Sequence, residues 1–258
     1  MYHPVEWNPE RVERLWDFYS TYSFAQGNYF SRQFGRAILG LVRHRLNIRS
    51  TVVDVGCGPG HLLEELLYQG FRCKAIDISS PAIQTVQARF AGQPGFLGAW
   101  VGSPDQLPLQ DGEAGTIFLI EVLEHLGPDL ATKAFAEFRR ILQPGGHVIV
   151  TVPNREVLGL NTVVCPECAC VFHRKQHVQS FTNTSLTRYI RASGLDLAFL
   201  TDLHLKHFGG GWIAGQLRPL RQFARFLRRR PPSSSHREMS RMRWTAVAQF
   251  FGPHIPGQ

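Results

Sequence analysis

Of 258 residues only 19% are charged and only five are cysteine. No stretch approaches the roughly 18 consecutive apolar residues of a membrane-spanning helix, which sets aside a helical integral membrane protein. The opening MYHPVEWNPERVERLW contains no apolar run of the export type, so a cytoplasmic location is expected. Five cysteines are too few and too unevenly placed for a disulfide scaffold: Cys165, Cys168 and Cys170 crowd into six residues, and the count is odd. A metal site or free thiols fit that pattern better. There is no internal repeat, and low complexity is confined to PPSSS at 231–235. What is present is an ordinary globular balance with 43% apolar residues, enough in a chain this size to bury about 70% of its unfolded surface. The net charge of +8 admits an anionic partner, whether nucleic acid, a lipid surface or a phosphorylated substrate, without choosing among them.

Along the chain, residues 10–46 read as helical. TVVDVG, RCKAIDIS, GFLGAWVG, GTIFLIEVL and HVIVTVPN are short apolar, β-branched runs of strand length. Between them lie HLLEELLYQG, SPAIQTVQARF (with Ser80 as expected cap) and LATKAFAEFRRIL, which have helical spacing. Strands alternating with helices at this interval predict right-handed βαβ units and a doubly wound, mostly parallel α/β sheet. Ligands of such sheets bind beyond the carboxyl ends of the strands. TNTSLTRYIRASG reads as a further helix, LDLAFLTDL as a sixth strand, and RWTAVAQFF as a late strand able to pair with it.

The first strand runs into Asp54-Val55-Gly56-Cys57-Gly58-Pro59-Gly60. A Gly-x-Gly-x-Gly turn lets a ligand approach the backbone closely, and the helix from His61 offers free N–H groups. Asp77 closes the next strand about 20 residues on, where a carboxylate can accept hydrogen bonds from ribose hydroxyls. A carboxylate beside the loop, Asp54, would repel a pyrophosphate and suits a cationic ligand. VVDVGCGPGHLLEELLYQG, AIDISS, IEVLEHL and LQPGGHVIVTVPN, in that order, together resemble the class I S-adenosylmethionine-dependent methyltransferases over about residues 30–205. That resemblance implies a seven-stranded Rossmann-like sheet whose last strand, matched by RWTAVAQFF, is antiparallel. It also implies that Asp54, Gly56, Cys57, Gly58 and Gly60 hold the methionine end, that Asp77 holds the ribose with Ile78 beside the adenine, and that Glu121 faces the cofactor. In VGSPDQLPL, Ser103 stands where the family has an aspartate and Asp105 follows, so the adenine contact falls to Ser103, Asp105 or a backbone oxygen.

Methyl transfer asks the protein mainly to align an acceptor, with a base where the acceptor must lose a proton. His125, just past the fourth strand, is the candidate base. Tyr19, Tyr22 and Tyr29 are candidates for an N-terminal lid. Cys165, Cys168, His173 and His177 read as C-x2-C-x4-H-x3-H, a closed tetrahedral set for a structural zinc with both histidines on one helical turn. Cys170 is an alternative ligand, and His177 has a second reading in the acceptor site. In LRPLRQFARFLRRR, Leu217, Leu220, Phe223 and Leu227 share one helical face and Arg218, Arg221, Arg225 and Arg228 another, a pattern suited to an anionic membrane surface. The expected organisation is a helical lid over 1–50, a cofactor-binding core over 51–205 with the metal insertion at 160–182, the basic insertion at 206–240, and a last strand with tail at 241–258. The expected activity is methyl transfer to a small-molecule, lipid-linked or saccharide acceptor. An RNA or protein methyltransferase is the alternative within enzymes, and a zinc-bearing nucleic-acid-binding or scaffold protein with a vestigial cofactor pocket is the alternative outside them.

Overall fold

The computed structural model describes residues 1–27, 29–202 and 244–249. The basic insertion expected at 206–240 lies outside them. The chain opens with a two-residue strand β1 (His3–Pro4), followed by helices α1 (Pro9–Thr21), α2 (Ser23–Gln26) and α3 (Phe30–Arg45). The one helical stretch expected over 10–46 is thus three helices. Asn8 caps α1 by accepting from Arg11 N–H, with Pro9 at the first turn where its missing N–H costs nothing.

The core then alternates: β2 (Val52–Val55), α4 (His61–Tyr68), β3 (Cys73–Asp77), α5 (Ser80–Phe90), β4 (Phe96–Val101), β5 (Ala114–Ile120), a 3-10 turn at Leu123–His125, α6 (Pro128–Ile141) and β6 (Leu142–Pro153). The cap of α5 is Ser79 and not the expected Ser80: its hydroxyl accepts from Ala82 N–H, and Pro81 falls inside the first turn. A second 3-10 turn (Leu158–Asn161), the short strands β7 (Thr162–Val164) and β8 (Cys170–His173), α7 (Asn183–Ala192), β9 (Asp196–Leu200) and β10 (Trp244–Gln249) complete the described chain. Among the described residues no helix is long and apolar enough to cross a membrane.

The main sheet has the order β4-β3-β2-β5-β6-β10-β9. Five neighbouring strands, β4 to β6, pair parallel, and β10 pairs antiparallel with both β6 and β9. Alternate residues of each strand face opposite sides. Ile117 and Leu119 of β5 join one core with α6, while Phe118 and Ile120 join the other with α3, α4 and α5. Helix α6 buries Ala131, Ala134, Phe135, Phe138 and Ile141, a single stripe at helical spacing. The chain enters the sheet at β2, moves outward to β4, and returns to β5, so the switch point lies between β2 and β5. A second, three-stranded sheet of order β1-β8-β7 stands apart and carries the cysteines. There the structure corrects the expected metal helix: His173 ends a strand and His177 follows in extended chain.

Candidate functional site

The glycine elbow sits at the carboxyl end of β2. Gly56, Gly58 and Gly60 all adopt positive φ, between +50° and +82°, a region in which a side chain is strained. Space is also closed there: a Cβ on Gly56 would lie 2.3 Å from Val122 Cγ2, and one on Gly58 2.7 Å from the Tyr29 ring. Asp77 organises the elbow from the next strand. Its Oδ2 accepts from Gly58 N–H at 2.7 Å and its Oδ1 from Ser79 N–H at 2.8 Å. Burial pushes its carboxyl pKa up, against the pull of those two N–H groups. Asp54 is only 2% exposed, and its Oδ2 has no hydrogen-bond partner. Burial, with the Asp77 charge added, pushes its pKa up to about 7. Both carboxylates therefore turn inward at the elbow, together with the buried Cys57. Ile78 follows Asp77 directly, and Gly102 N–H bonds Asp77 O at 3.0 Å. That bond draws the turn after β4 alongside, where the Ser103 hydroxyl donates to Asp105. The two residues expected at the adenine edge thus satisfy one another and sit next to Ile78.

The N-terminal helices lie across this edge. Asp17 of α1 accepts from the Ser79 hydroxyl at 2.6 Å. Trp16 Nε1 donates to Gln176 at 3.1 Å, and Tyr19 donates to the Arg174 carbonyl at 3.0 Å. Tyr29, hydrogen-bonded to Ser20, rests its ring against Gly58. Tyr19 and Tyr29 occupy the covering positions expected of them, whereas Tyr22 stacks on Phe18 and is 51% exposed.

On the other side of the switch point stands a carboxylate and imidazole cluster. Glu121, just past β5, takes a φ of +57°. Its Oε1 accepts from the Thr151 hydroxyl at 2.6 Å. Burial and the neighbouring Glu124 hold its pKa well above the usual range. His125 lies under the Trp16 ring, at 4.7 Å between centroids, with Nδ1 3.5 Å from the Gln176 carbonyl. Burial pushes its pKa well down, so the ring is neutral at pH 7. His177 is T-shaped to His125 at 4.8 Å and stacked on His173 at 4.4 Å.

The expected zinc set is divided. Cys165, Cys168 and Cys170 form one group of converging donor atoms, while His173 and His177 belong to a separate group with Glu156. The split follows from the small sheet, which places the cysteines at one end of the β7–β8 pair and His173 at the other, opposite Thr162. Cys170, the alternative ligand, is the one that joins Cys165 and Cys168. Strand β1 adds His3, whose Nε2 is 3.1 Å from the Cys168 carbonyl oxygen. The sequence reasoning missed Glu124, Glu156 and the α1 contacts Trp16 and Asp17. Position was the available signal for the two glutamates, since each follows the carboxyl end of a central strand.

The profile of the family described as "Methyltransferase domain" matches residues 11–198. A ubiquinone biosynthesis O-methyltransferase of Cupriavidus pinatubonensis is 29% identical over 152 residues, covering 57% of this chain and 60% of that protein. One from Methylococcus capsulatus is 34% identical over 152 residues, covering 57% and 63%. The matched stretch is thus less than two thirds of each relative. In fold, the chain is similar to the 1,6-didemethyltoxoflavin-N1-methyltransferase of Burkholderia thailandensis, solved with 1,6-didemethyltoxoflavin and S-adenosylhomocysteine. That similarity has a TM-score of 0.58 at 16% identity and covers 96% of this chain and 92% of that one.

Proposed function

We infer the chemistry of this site from one premise: the chain belongs to the methyltransferase domain family. We propose that it binds S-adenosylmethionine across the ends of β2 and β3 and directs the methyl group to an oxygen of a small-molecule, lipid-linked or saccharide acceptor. The cofactor, when bound, supplies a methyl carbon already activated by a sulfonium. Asp54 would take its ammonium end, the backbone of Gly56, Cys57, Gly58 and Gly60 its methionine chain, Asp77 the ribose, and Ile78 with the Ser103–Asp105 turn the adenine. Glu121 would face it from β5. His125, neutral and on the acceptor side, takes the proton of an acceptor hydroxyl. The choice of oxygen rests on the O-methyltransferases among the relatives.

The observation that carries this reading is Asp54: a fully enclosed carboxylate with an unpartnered oxygen directly below a glycine cradle. A buried anion without a partner is costly, and a cationic ligand end removes that cost. Calorimetric titration with S-adenosylhomocysteine tests it. Binding should be measurable in the wild type and weakened roughly 10–100-fold in Asp77→Ala, which loses charge-assisted hydrogen bonds worth about 1.5–3 kcal/mol. A wild-type protein that gives no heat would overturn the enzyme reading in favour of a scaffold.

The cysteine trio extends the proposal. All five cysteines are unpaired, as suits a reducing cytoplasm, and three thiolates converge as zinc ligands do. We propose Zn2+ on Cys165, Cys168 and Cys170, holding the small sheet together. Metal analysis should find one equivalent that Cys168→Ser removes.

A further inference from the structure

We propose that Glu124, His125 and His177 form a second metal site, for a first-row divalent cation of the Zn2+ class, in the cleft and separate from the cysteine trio. One donor atom from each of the three lies within 4.8 Å of the others. Glu124 is 0% exposed, and neither of its carboxylate oxygens has a hydrogen-bond partner. What lies beside it are further carboxylates, Glu121 and Glu156. An enclosed carboxylate among acids calls for a cation.

The ring protons show which nitrogens are available. Nδ1 of His177 is hydrogen-bonded to Glu156, which leaves the lone pair on Nε2, and Nε2 faces Glu124 Oε1 at 3.9 Å. Two donors bound at about 2.0–2.1 Å to one tetrahedral or octahedral ion lie roughly 3.0–3.5 Å apart, so closure needs a movement of a few tenths of an ångström. His125 points Nδ1 at the Gln176 carbonyl, again leaving Nε2 for a metal. In both rings the second nitrogen is held by an oxygen, one a carboxylate and one a backbone carbonyl. This is the outer shell that orients metal-bound imidazoles. His173 is different. Its Nδ1 accepts backbone N–H groups from Lys175 and His177, at 3.3 and 3.1 Å, so its proton sits on Nε2, which faces Glu156 Oε1 at 3.3 Å. His173 therefore positions Glu156, which orients His177, and is not itself a ligand. Two imidazoles and one carboxylate select Zn2+ or its first-row neighbours over Mg2+ or Ca2+, and three protein ligands leave a position open to an oxygen donor.

The test uses the full chain, purified without a polyhistidine tag, stripped with chelator and titrated with Co2+ as a spectroscopic stand-in for Zn2+. Uptake at this site should give visible d–d bands with no thiolate charge-transfer band. It should persist in the Cys165→Ser, Cys168→Ser, Cys170→Ser triple variant and vanish in Glu124→Gln and His177→Ala. Glu156→Gln, an outer-shell change, should weaken it about 10–100-fold. Should the triple variant not fold, the wild-type spectrum alone decides, since the non-thiolate component must be present there and absent in Glu124→Gln. Uptake only with the thiolate band, or uptake unaltered by Glu124→Gln and His177→Ala, would overturn the proposal. S-adenosylhomocysteine binding, followed in parallel, reports on the cofactor site independently.

Discussion

Asp54 couples the stability of the protein to its proposed ligand. Its carboxyl titrates near 3.8 in the unfolded chain and near 7 in the folded one. A raised acid binds more protons when folded, so stability is greatest below about pH 4, falls as the pH rises to about 7, and is level above that. A shift of this size corresponds to about 4 kcal/mol. Asp54→Asn should therefore stabilise the ligand-free protein, by more at pH 8 than at pH 5, as read from thermal melts. A cationic ligand end prefers the ionised carboxylate, so its binding should release a proton. Affinity for S-adenosylhomocysteine should climb from pH 5.5 to 7 in the wild type and stay flat in Asp54→Asn, as followed by calorimetry in buffers of different ionisation enthalpy. Gly56 answers to sterics. An alanine there combines positive φ with a Cβ 2.3 Å from Val122 and should cost about 1–3 kcal/mol in denaturant melts. These residues were legible in the sequence because a tight turn between a strand and a helix demands glycine, and a parallel strand end fixes where its acid falls. Glu124 and Glu156 were not, because their role depends on which side chains meet across three separate segments.

Helix α1 acts as a clamp whose contacts no periodicity announces. Asn8, Pro9 and the amphipathic spacing predict the helix itself. They do not predict that Trp16 would bridge to His125 and Gln176, or that Asp17 would bond Ser79 at the start of α5. Those contacts join the N-terminus to both halves of the cleft. Trp16→Ala removes the aromatic contact and the hydrogen bond to Gln176 together. It should speed hydrogen exchange of the α1 amides well before the amides of β2 or β5, whose strands are buried on both faces. Exchange that remained as slow as in the wild type would mean that the Asp17–Ser79 and Tyr19–Arg174 hydrogen bonds suffice. The strands were the most readable elements, since runs such as VVDV and TIFLI have no polar face to present to water. The small sheet was the least readable. Its pairing of His3–Pro4 with Cys170–Val171 joins segments about 165 residues apart in the chain, and a C-x2-C…H-x3-H spacing fixes only local distances. That is why the expected four-ligand zinc separated into a cysteine trio and a histidine–carboxylate cluster.

At the scale of the molecule, the charge of +8 is unevenly distributed along the sequence. The stretch 217–230 alone holds Arg218, Arg221, Arg225, Arg228, Arg229 and Arg230 and no acid. The proposed acceptor class includes lipid-linked compounds, and a basic, amphipathic stretch would bring the enzyme to the surface where they reside. Each arginine near an anionic bilayer contributes about 1 kcal/mol, within a Debye length of roughly 8 Å at physiological salt. Attraction of that kind has a definite signature. The full chain should sediment with vesicles containing phosphatidylserine at 50 mM salt and not with neutral phosphatidylcholine vesicles. Binding should be lost at 500 mM salt and in the charge-reversed variant Arg218→Glu, Arg221→Glu, Arg225→Glu, Arg228→Glu. Since these positions lie outside the elbow and the cleft, S-adenosylhomocysteine affinity in that variant should match the wild type, which separates recruitment from catalysis. Equal sedimentation with neutral vesicles would point to the apolar face of Leu217, Leu220, Phe223 and Leu227 and exclude charge as the driving force. No sedimentation at low salt would confine the acceptor to soluble molecules.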